Sequence, residues 1–231
     1  MSAPLSIIIP TLNSQKSLGV LLPDLMAGVT EGLIRELIFA DGGSEDETAE
    51  IAQGVGAVLI KGPRGRGSQL KEACEAAQGS WLLVLHSDSQ LPDDWVRSVT
   101  SHMEHSDKAA VFRLSFDDRA FMAKWTAAWA NLRTRVFGLP YGDQGLLISS
   151  LHYRKIGGYA AIPLMEDVAI AKALKGQITL LETSITTSAH RYHQEGWIRR
   201  GSKNLFTLLR YKLGRAPEAL AKGYYGGNHK S

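Results

Sequence analysis

The sequence predicts an α/β fold, a mostly parallel sheet flanked by helices, on three observations. Short runs rich in Val, Ile and Leu alternate with helical segments through the first half, the pattern of successive βαβ units. The runs are apolar throughout, which suits strands covered on both faces. Cap residues mark the helix starts between them, as at Ser44 and Glu47, which have capping-box spacing.

In chain order, strands are expected at "LSIII" (5–9), "LIRELIFA" (33–40), "AVLI" (57–60), "WLLVL" (81–85) and "AAVFRLSF" (109–116). Helices are expected over 14–27, 46–54, 68–78 and 93–105, the first with Pro23, a helix breaker, inside it. The second half is less regular. Residues 119–137 place Phe121, Trp125, Ala128, Trp129, Leu132 and Val136 on one helical face, which reads as a core face. The loop "GLPYGDQG" follows, then a strand near 146–149 and a helix after "LMED". Two short strands near 178–189 and a last helix over 196–213 complete the expected order.

At 231 residues the chain is long enough to bury a sizeable core unaided. Its composition does not break sharply, so it reads as a single domain over 1–231. Cys74 is the one cysteine, which excludes an internal disulfide and fits a reducing, cytoplasmic compartment. The opening "MSAPLSIIIPTLN" lacks a basic start and a long apolar run, so it is not read as a signal peptide. No window is apolar enough for a spanning helix. A net charge of +3 is too mild to point to nucleic acid.

In open α/β sheets ligands bind beyond the carboxyl ends of the strands. Here those ends carry Pro10-Thr11-Leu12-Asn13, then Asp41-Gly42-Gly43-Ser44, then "KGPRGRGS" (61–68), then His86-Ser87-Asp88. Carboxylates (Asp41, Asp88), a cation (Arg66) and an imidazole (His86) therefore gather on one edge. That set suits a nucleotide diphosphate with a divalent cation, Mg²⁺ or Mn²⁺, whose charge a carboxylate can hold and whose open positions take phosphate oxygens. Arg66 can clamp phosphate, and Gly65 and Gly67 allow close backbone approach. Each residue also has a structural alternative: Asp41 a turn, the Arg/Gly loop a solvated surface, Asp88 a helix cap. Their joint placement after consecutive strands favours the site.

"SIIIPTLN", "FADGGSEDET", "LHSDSQLP" and "LMEDVAIAKAL", in that order and at these separations, resemble family 2 glycosyltransferases of the GT-A (Rossmann-like) fold, above all small bacterial members that carry "PYGDQG" before "MED". The resemblance covers about residues 5–215 and implies a nucleotide-binding half (1–116) and an acceptor-binding half (117–231) with a basic C-terminal helix. It implies transfer of a sugar from a nucleotide-diphosphate donor to a sugar or lipid acceptor, metal-assisted and inverting. It implies that Pro10, Thr11, Asn13 and Asp41 line the nucleoside pocket and Arg66 faces the diphosphate. Asp88, beside Ser87, matches the metal-binding Asp of the family's Asp-x-Asp, and Asp167, beside Glu166, its catalytic base. An inverting transfer needs such a carboxylate to accept the acceptor's proton. Glu166-Asp167 also reads as an acidic first turn favoured by the helix dipole.

The pattern departs from the family in three places. Asn13 precedes Ser14 rather than Glu, Gly42 stands for a second Asp, and His86 stands for the first Asp of Asp-x-Asp. Imidazole ligates Mn²⁺ but is a poorer partner for Mg²⁺. His190 is a candidate metal or diphosphate contact, with a structural role as the alternative. Asp143 and Gln144 are candidate acceptor contacts, with a turn as theirs.

The segment 197–215 carries Arg199, Arg200, Lys203, Arg210, Lys212 and Arg215 and no acid, with Trp197, Leu205, Leu208, Leu209 and Leu213 as apolar members. This fits a helix lying on an anionic membrane, and equally a core-packed helix with a solvated basic face. Arg199 or Arg200 could instead reach the diphosphate, and the 119–137 helix, with Trp125 and Trp129, could cover the acceptor site instead of forming core. Two rival functions stay open. A nucleotidyltransferase would share the sheet and acids, but its glycine-rich loop belongs where this chain has "PTLN". A non-catalytic, membrane-docking sugar-nucleotide binder would bind donor without turnover.

Overall fold

A computed structural model describes residues 3–62 and 65–225; Pro63 and Arg64 of the Arg/Gly loop lie outside the described residues. The chain runs β1 (Leu5–Thr11), α1 (Gln15–Thr30), β2 (Ile34–Asp41), α2 (Thr48–Gly54), β3 (Val58–Lys61), α3 (Arg66–Ala76), β4 (Trp81–Val84) and α4 (Trp95–His105). It continues through β5 (Ala109–Phe116), α5 (Phe121–Phe137), a 3₁₀ turn (Gly142–Gln144), β6 (Leu146–Ser149), α6 (Ser150–Lys155), α7 (Glu166–Ala173) and β7 (Ile178–Thr187). Three helices close it: α8 (His190–Glu195), α9 (Trp197–Lys212) and α10 (Pro217–Tyr225).

Among the described residues the strands form a seven-stranded sheet in the order β3-β2-β1-β4-β6-β5-β7. All run parallel except β6, which is antiparallel to both β4 and β5. The all-apolar strands are explained by cover on both faces. Ile7 and Ile9 of β1 pack with Leu18 and Leu25 of α1 and with Trp95 and Val99 of α4. The intervening Ile8 faces Leu70 and Ala73 of α3, Ile170 of α7 and Leu174 just after that helix. Alternate side chains thus feed two separate cores.

One sequence expectation holds against a helix breaker, and three change. Pro23 sits inside α1 without ending it, and the carbonyl it cannot bond belongs to Gly19, an exposed residue open to water. Ser44 and Glu47 form no capping box: the Ser44 hydroxyl donates to Asp41, and α2 starts without a side-chain cap. The expected pair of strands near 178–189 is one strand, β7, whose register against β5 shifts between Val111 and Arg113. The expected core face of α5 points outward. Phe121, Trp125, Trp129, Leu132 and Val136 are exposed, whereas Ala123 and Ala130 are buried beside Leu114, Phe116 and Trp197. Small side chains let α5 sit close to β5, and a helix can bury only one of its two faces there.

Candidate active site

The ends of β1 and β2 form a hydrogen-bonded corner. Asp41, 2% exposed, accepts from the Thr11 and Ser44 hydroxyls on Oδ1 and from the Gly43 and Ser44 N–H groups on Oδ2. Burial pushes its carboxyl up, but these donors outweigh it and hold the group below the usual carboxylate range. Gln69 of α3 ties the corner from beneath, its Nε2 donating to the carbonyls of Thr11 (3.2 Å) and Ala40 (2.8 Å). Asn13 takes a left-handed φ of +49°, which Asn tolerates, accepting from Glu45 N while its own N–H donates to the Ser44 hydroxyl.

A second cluster surrounds a cavity of about 200 Å³. His86 and Asp88 reach it from beyond β4, Phe116 from the end of β5, and Thr187 and Ser188 from the end of β7. Asp143 reaches it from the turn that enters β6, and Glu166 and Asp167 from the first turn of α7. Met165 precedes them at a left-handed φ of +69°, which turns the chain into the helix. The Asp167 carboxylate is fixed by two backbone donors, Gly142 N on Oδ2 (3.0 Å) and Val168 N on Oδ1 (2.7 Å).

The charges interlock. Arg66 opens α3, and its Nε lies 3.2 Å from Glu166 Oε1, an ion-pair distance without the alignment of a hydrogen bond. Burial pushes the Glu166 carboxyl up to about 7 against the pull of Arg66, with Asp167 adding to the rise. His86 Nδ1 stands 2.6 Å from Asp88 Oδ1. Burial raises the Asp88 carboxyl, but the His86 hydrogen bond and the charges of His86 and Arg191 leave it below its ordinary value. Burial raises the Asp143 carboxyl, offset in part by Arg133 and His86.

The structure therefore brings Arg66, His86, Asp88, Asp143, Glu166 and Asp167 around one cavity. Pro10, Thr11, Asn13, Asp41 and Ser87 are not in its walls; all but Ser87, which stands between His86 and Asp88, belong to the β1–β2 corner. Gln144 is fully buried: its amide donates to Phe112 O and accepts from the Thr134 hydroxyl and Tyr141 N, so it holds the turn rather than facing the cavity. His190 begins α8, exposed beside Gln194 and away from the cavity, rather than ending a strand. Gly67 serves a neighbour on the protein side: a Cβ there would stand 2.3 Å from Ala160 O and 2.4 Å from Ile162 O. Of the two arginines open at 199 and 200, Arg200 lines the cavity, bonded to Glu195 at 2.7 Å. The sequence reading missed Arg191, Tyr192, Tyr141 and Tyr224, which also line it. Tyr141 stands inside "PYGDQG"; no motif marks the other three, whose shared signal is the aromatic and basic composition after "TSAH".

Among the described residues no three His, Cys, Asp or Glu side chains converge into a ready-made metal cage. Asp88 and His86 nevertheless stand together at the cavity, where Asp143 presents a buried Oδ1 with no hydrogen-bond partner among the described residues. That donor set fits a divalent cation that draws its other ligands from phosphate and water.

The family model for glycosyl transferase family 2 matches residues 6–149. The curated proteins give no match. Among solved structures, S. aureus TarS 1–349 in complex with UDP-GlcNAc shares the fold with a TM-score of 0.63 at 18% identity, over 80% of this chain and 58% of that one. The chain thus spans less than two thirds of the TarS fragment. Glucosyl-3-phosphoglycerate synthase from Mycobacterium tuberculosis, in complex with Mn²⁺, UDP and glucosyl-3-phosphoglycerate, gives a TM-score of 0.55 at 17% identity, over 80% and 70% of the two chains. Both likenesses are to GT-A folds. Because the family model runs from β1 to β6, through the strand ends that carry Asp41, Asp88 and Asp143, the chain belongs to glycosyl transferase family 2.

Proposed function

We propose that the chain transfers a sugar from a nucleotide-diphosphate donor to an acceptor hydroxyl, with inversion at the anomeric carbon. The observation that carries this is the meeting of Asp88 and Asp167, from opposite halves of the sequence, in one cavity. Asp167 accepts the proton of the acceptor hydroxyl as its oxygen attacks the anomeric carbon and the bond from that carbon to the diphosphate oxygen breaks. The Gly142 and Val168 N–H groups aim that carboxylate. Arg191 and Arg200, on the cavity wall, supply positive charge for the departing diphosphate. Asp88 and His86 would hold a divalent cation, Mn²⁺ in preference to Mg²⁺, whose charge stabilises the same leaving group. Pro10, Thr11, Asn13 and Asp41 form the nucleoside end of the same sheet edge, with Ser87 between the two ends, and Asp143 contacts the acceptor. The neighbours seen with UDP make uridine the base to test first.

The test is a panel of UDP-sugars with and without Mn²⁺, read by thermal shift and by product. Donor with Mn²⁺ is expected to raise the melting temperature, and turnover to release nucleoside diphosphate. Pyrophosphate release would mean nucleotidyl transfer instead, and donor binding with no turnover across acceptors would mean a binding protein.

A further inference from the structure

Ten large apolar side chains, five on α5 and five on α9 and the residue that follows it, stand in two outward stripes. On α5, Phe121 is 77% exposed, Trp125 57% and Val136 59%, with Trp129 and Leu132 beside them. On α9, Ile198 is 75% and Leu213 87% exposed, with Leu205, Phe206 and Leu209 between. Each stripe occupies an arc of about 100° on its helix, the width of a buried face. The opposite faces are already in use: Ala123 and Ala130 of α5 pack against the sheet, and Arg200 and Asn204 of α9 line the cavity. The two helices share one apolar cluster, which Ala127 and Ala130 join from α5 and Trp197 from α9. Scattered apolar residues on a surface are ordinary, but paired helical stripes rich in aromatics are not.

The charge around them is one-sided. Residues 119–137 and 196–215 hold ten of the chain's 26 Lys and Arg and none of its 23 Asp and Glu. The remainder keeps 16 basic against 23 acidic residues and is net negative. Lys124, Arg135, Arg199, Arg210 and Lys212 are exposed on these helices. A second copy of the chain would bring like charges together across such a surface, whereas anionic lipid headgroups would neutralise them. Tryptophan and arginine beside an aliphatic stripe suit the headgroup boundary of a bilayer. Among the described residues no helix is long and apolar enough to cross a membrane.

We propose that the outward faces of α5 and α9 form a peripheral docking surface for an anionic lipid bilayer. Both helices then lie in the membrane interface, and the cavity opens beside it through the inner face of α9. This goes beyond the transfer reaction and does not depend on it.

The experiment is flotation of the whole chain with vesicles of phosphatidylcholine alone or mixed with phosphatidylglycerol, at low and high salt. Binding to the mixed vesicles is expected, at least tenfold weaker on phosphatidylcholine alone and weakened by salt. A Trp125→Ser/Trp129→Ser variant and, separately, an Arg210→Gln/Lys212→Gln variant should each bind several-fold less. Both should keep the wild-type melting temperature, since all four side chains are exposed. Should the tryptophan variant fold poorly, the charge variant alone decides. Absence of vesicle binding overturns the proposal. So does binding that ignores both salt and headgroup charge, or a dimer in sedimentation analysis that the tryptophan variant dissolves.

Discussion

Arg66 and Glu166 face each other 3.2 Å apart, one from the first turn of α3 and the other from the first turn of α7, and so couple the two halves of the sequence beneath the cavity. Glu166 is buried and its carboxyl sits near 7, above the ordinary 4.5, so the folded state holds its proton more tightly than the unfolded chain does. Stability from this group is therefore fully present below about pH 4.5 and falls as pH rises to about 7. Glu166→Gln is expected to flatten that part of a melting-temperature profile taken from pH 5 to 8. Arg66→Gln, which leaves Glu166 without its cation, should cost about 2 kcal/mol at pH 8, or roughly 4–8 °C. The double variant should lose less than the sum of the two, a coupling that a double-mutant cycle measures.

Asp41 has the opposite sign. Its carboxyl lies below the ordinary 3.8, so it contributes stability above that pH and loses it as the solution is acidified through the folded value. Asp41→Asn removes a charged acceptor of four donors and is expected to cost about 2 kcal/mol at neutral pH. In urea titrations the gap between variant and wild type should narrow below pH 4.

Asp88 and Asp167 should separate binding from chemistry. Asp88→Asn is expected to abolish the Mn²⁺-dependent part of the donor thermal shift. Asp167→Asn should keep that shift and lower the transfer rate by about 10²–10⁴. Equal loss of donor binding in both variants would contradict the assignment of roles.

Gly67 is the packing point between α3 and the loop before α7. A methyl there would press on two backbone carbonyls at 2.3 and 2.4 Å, and backbone cannot swing away as a side chain can. Gly67→Ala is expected to cost about 3 kcal/mol, read as a drop in melting temperature. Gly42→Ala should cost less, because its methyl meets the end of the Gln69 side chain, which can give way at the cost of its hydrogen bonds to Thr11 and Ala40.

Much of the fold was legible because apolar runs such as "LSIII" have one use in a chain of this kind, as strands covered on both sides. The limits are equally physical. Periodicity marks the apolar face of α5 but not which way it looks, and Ala123 and Ala130 packed inward where Trp125 and Trp129 were expected. Asp88 and Asp167 were readable from motifs, each at the tip or start of an element. Arg191 and Tyr192 were not, since their place in the cavity depends on how α8 folds back, which no local pattern encodes. Gln144 stood beside Asp143 in sequence, yet a 3₁₀ turn sends neighbouring side chains in different directions.

The reversed direction of β6 sets what this cleft can recruit. A strand aligned with its neighbours offers the rim only the segment that leaves it, whereas a flipped strand offers the segment that arrives. Leu146 pairs with Val84, so the turn preceding β6 is delivered next to the tip of β4. Lengthening or rewriting that approach at 138–145 would remodel one wall of the chamber while the corner at Thr11 and Asp41 keeps its shape. On the proposed reading, preference for the incoming partner can therefore drift without disturbing grip on the outgoing one.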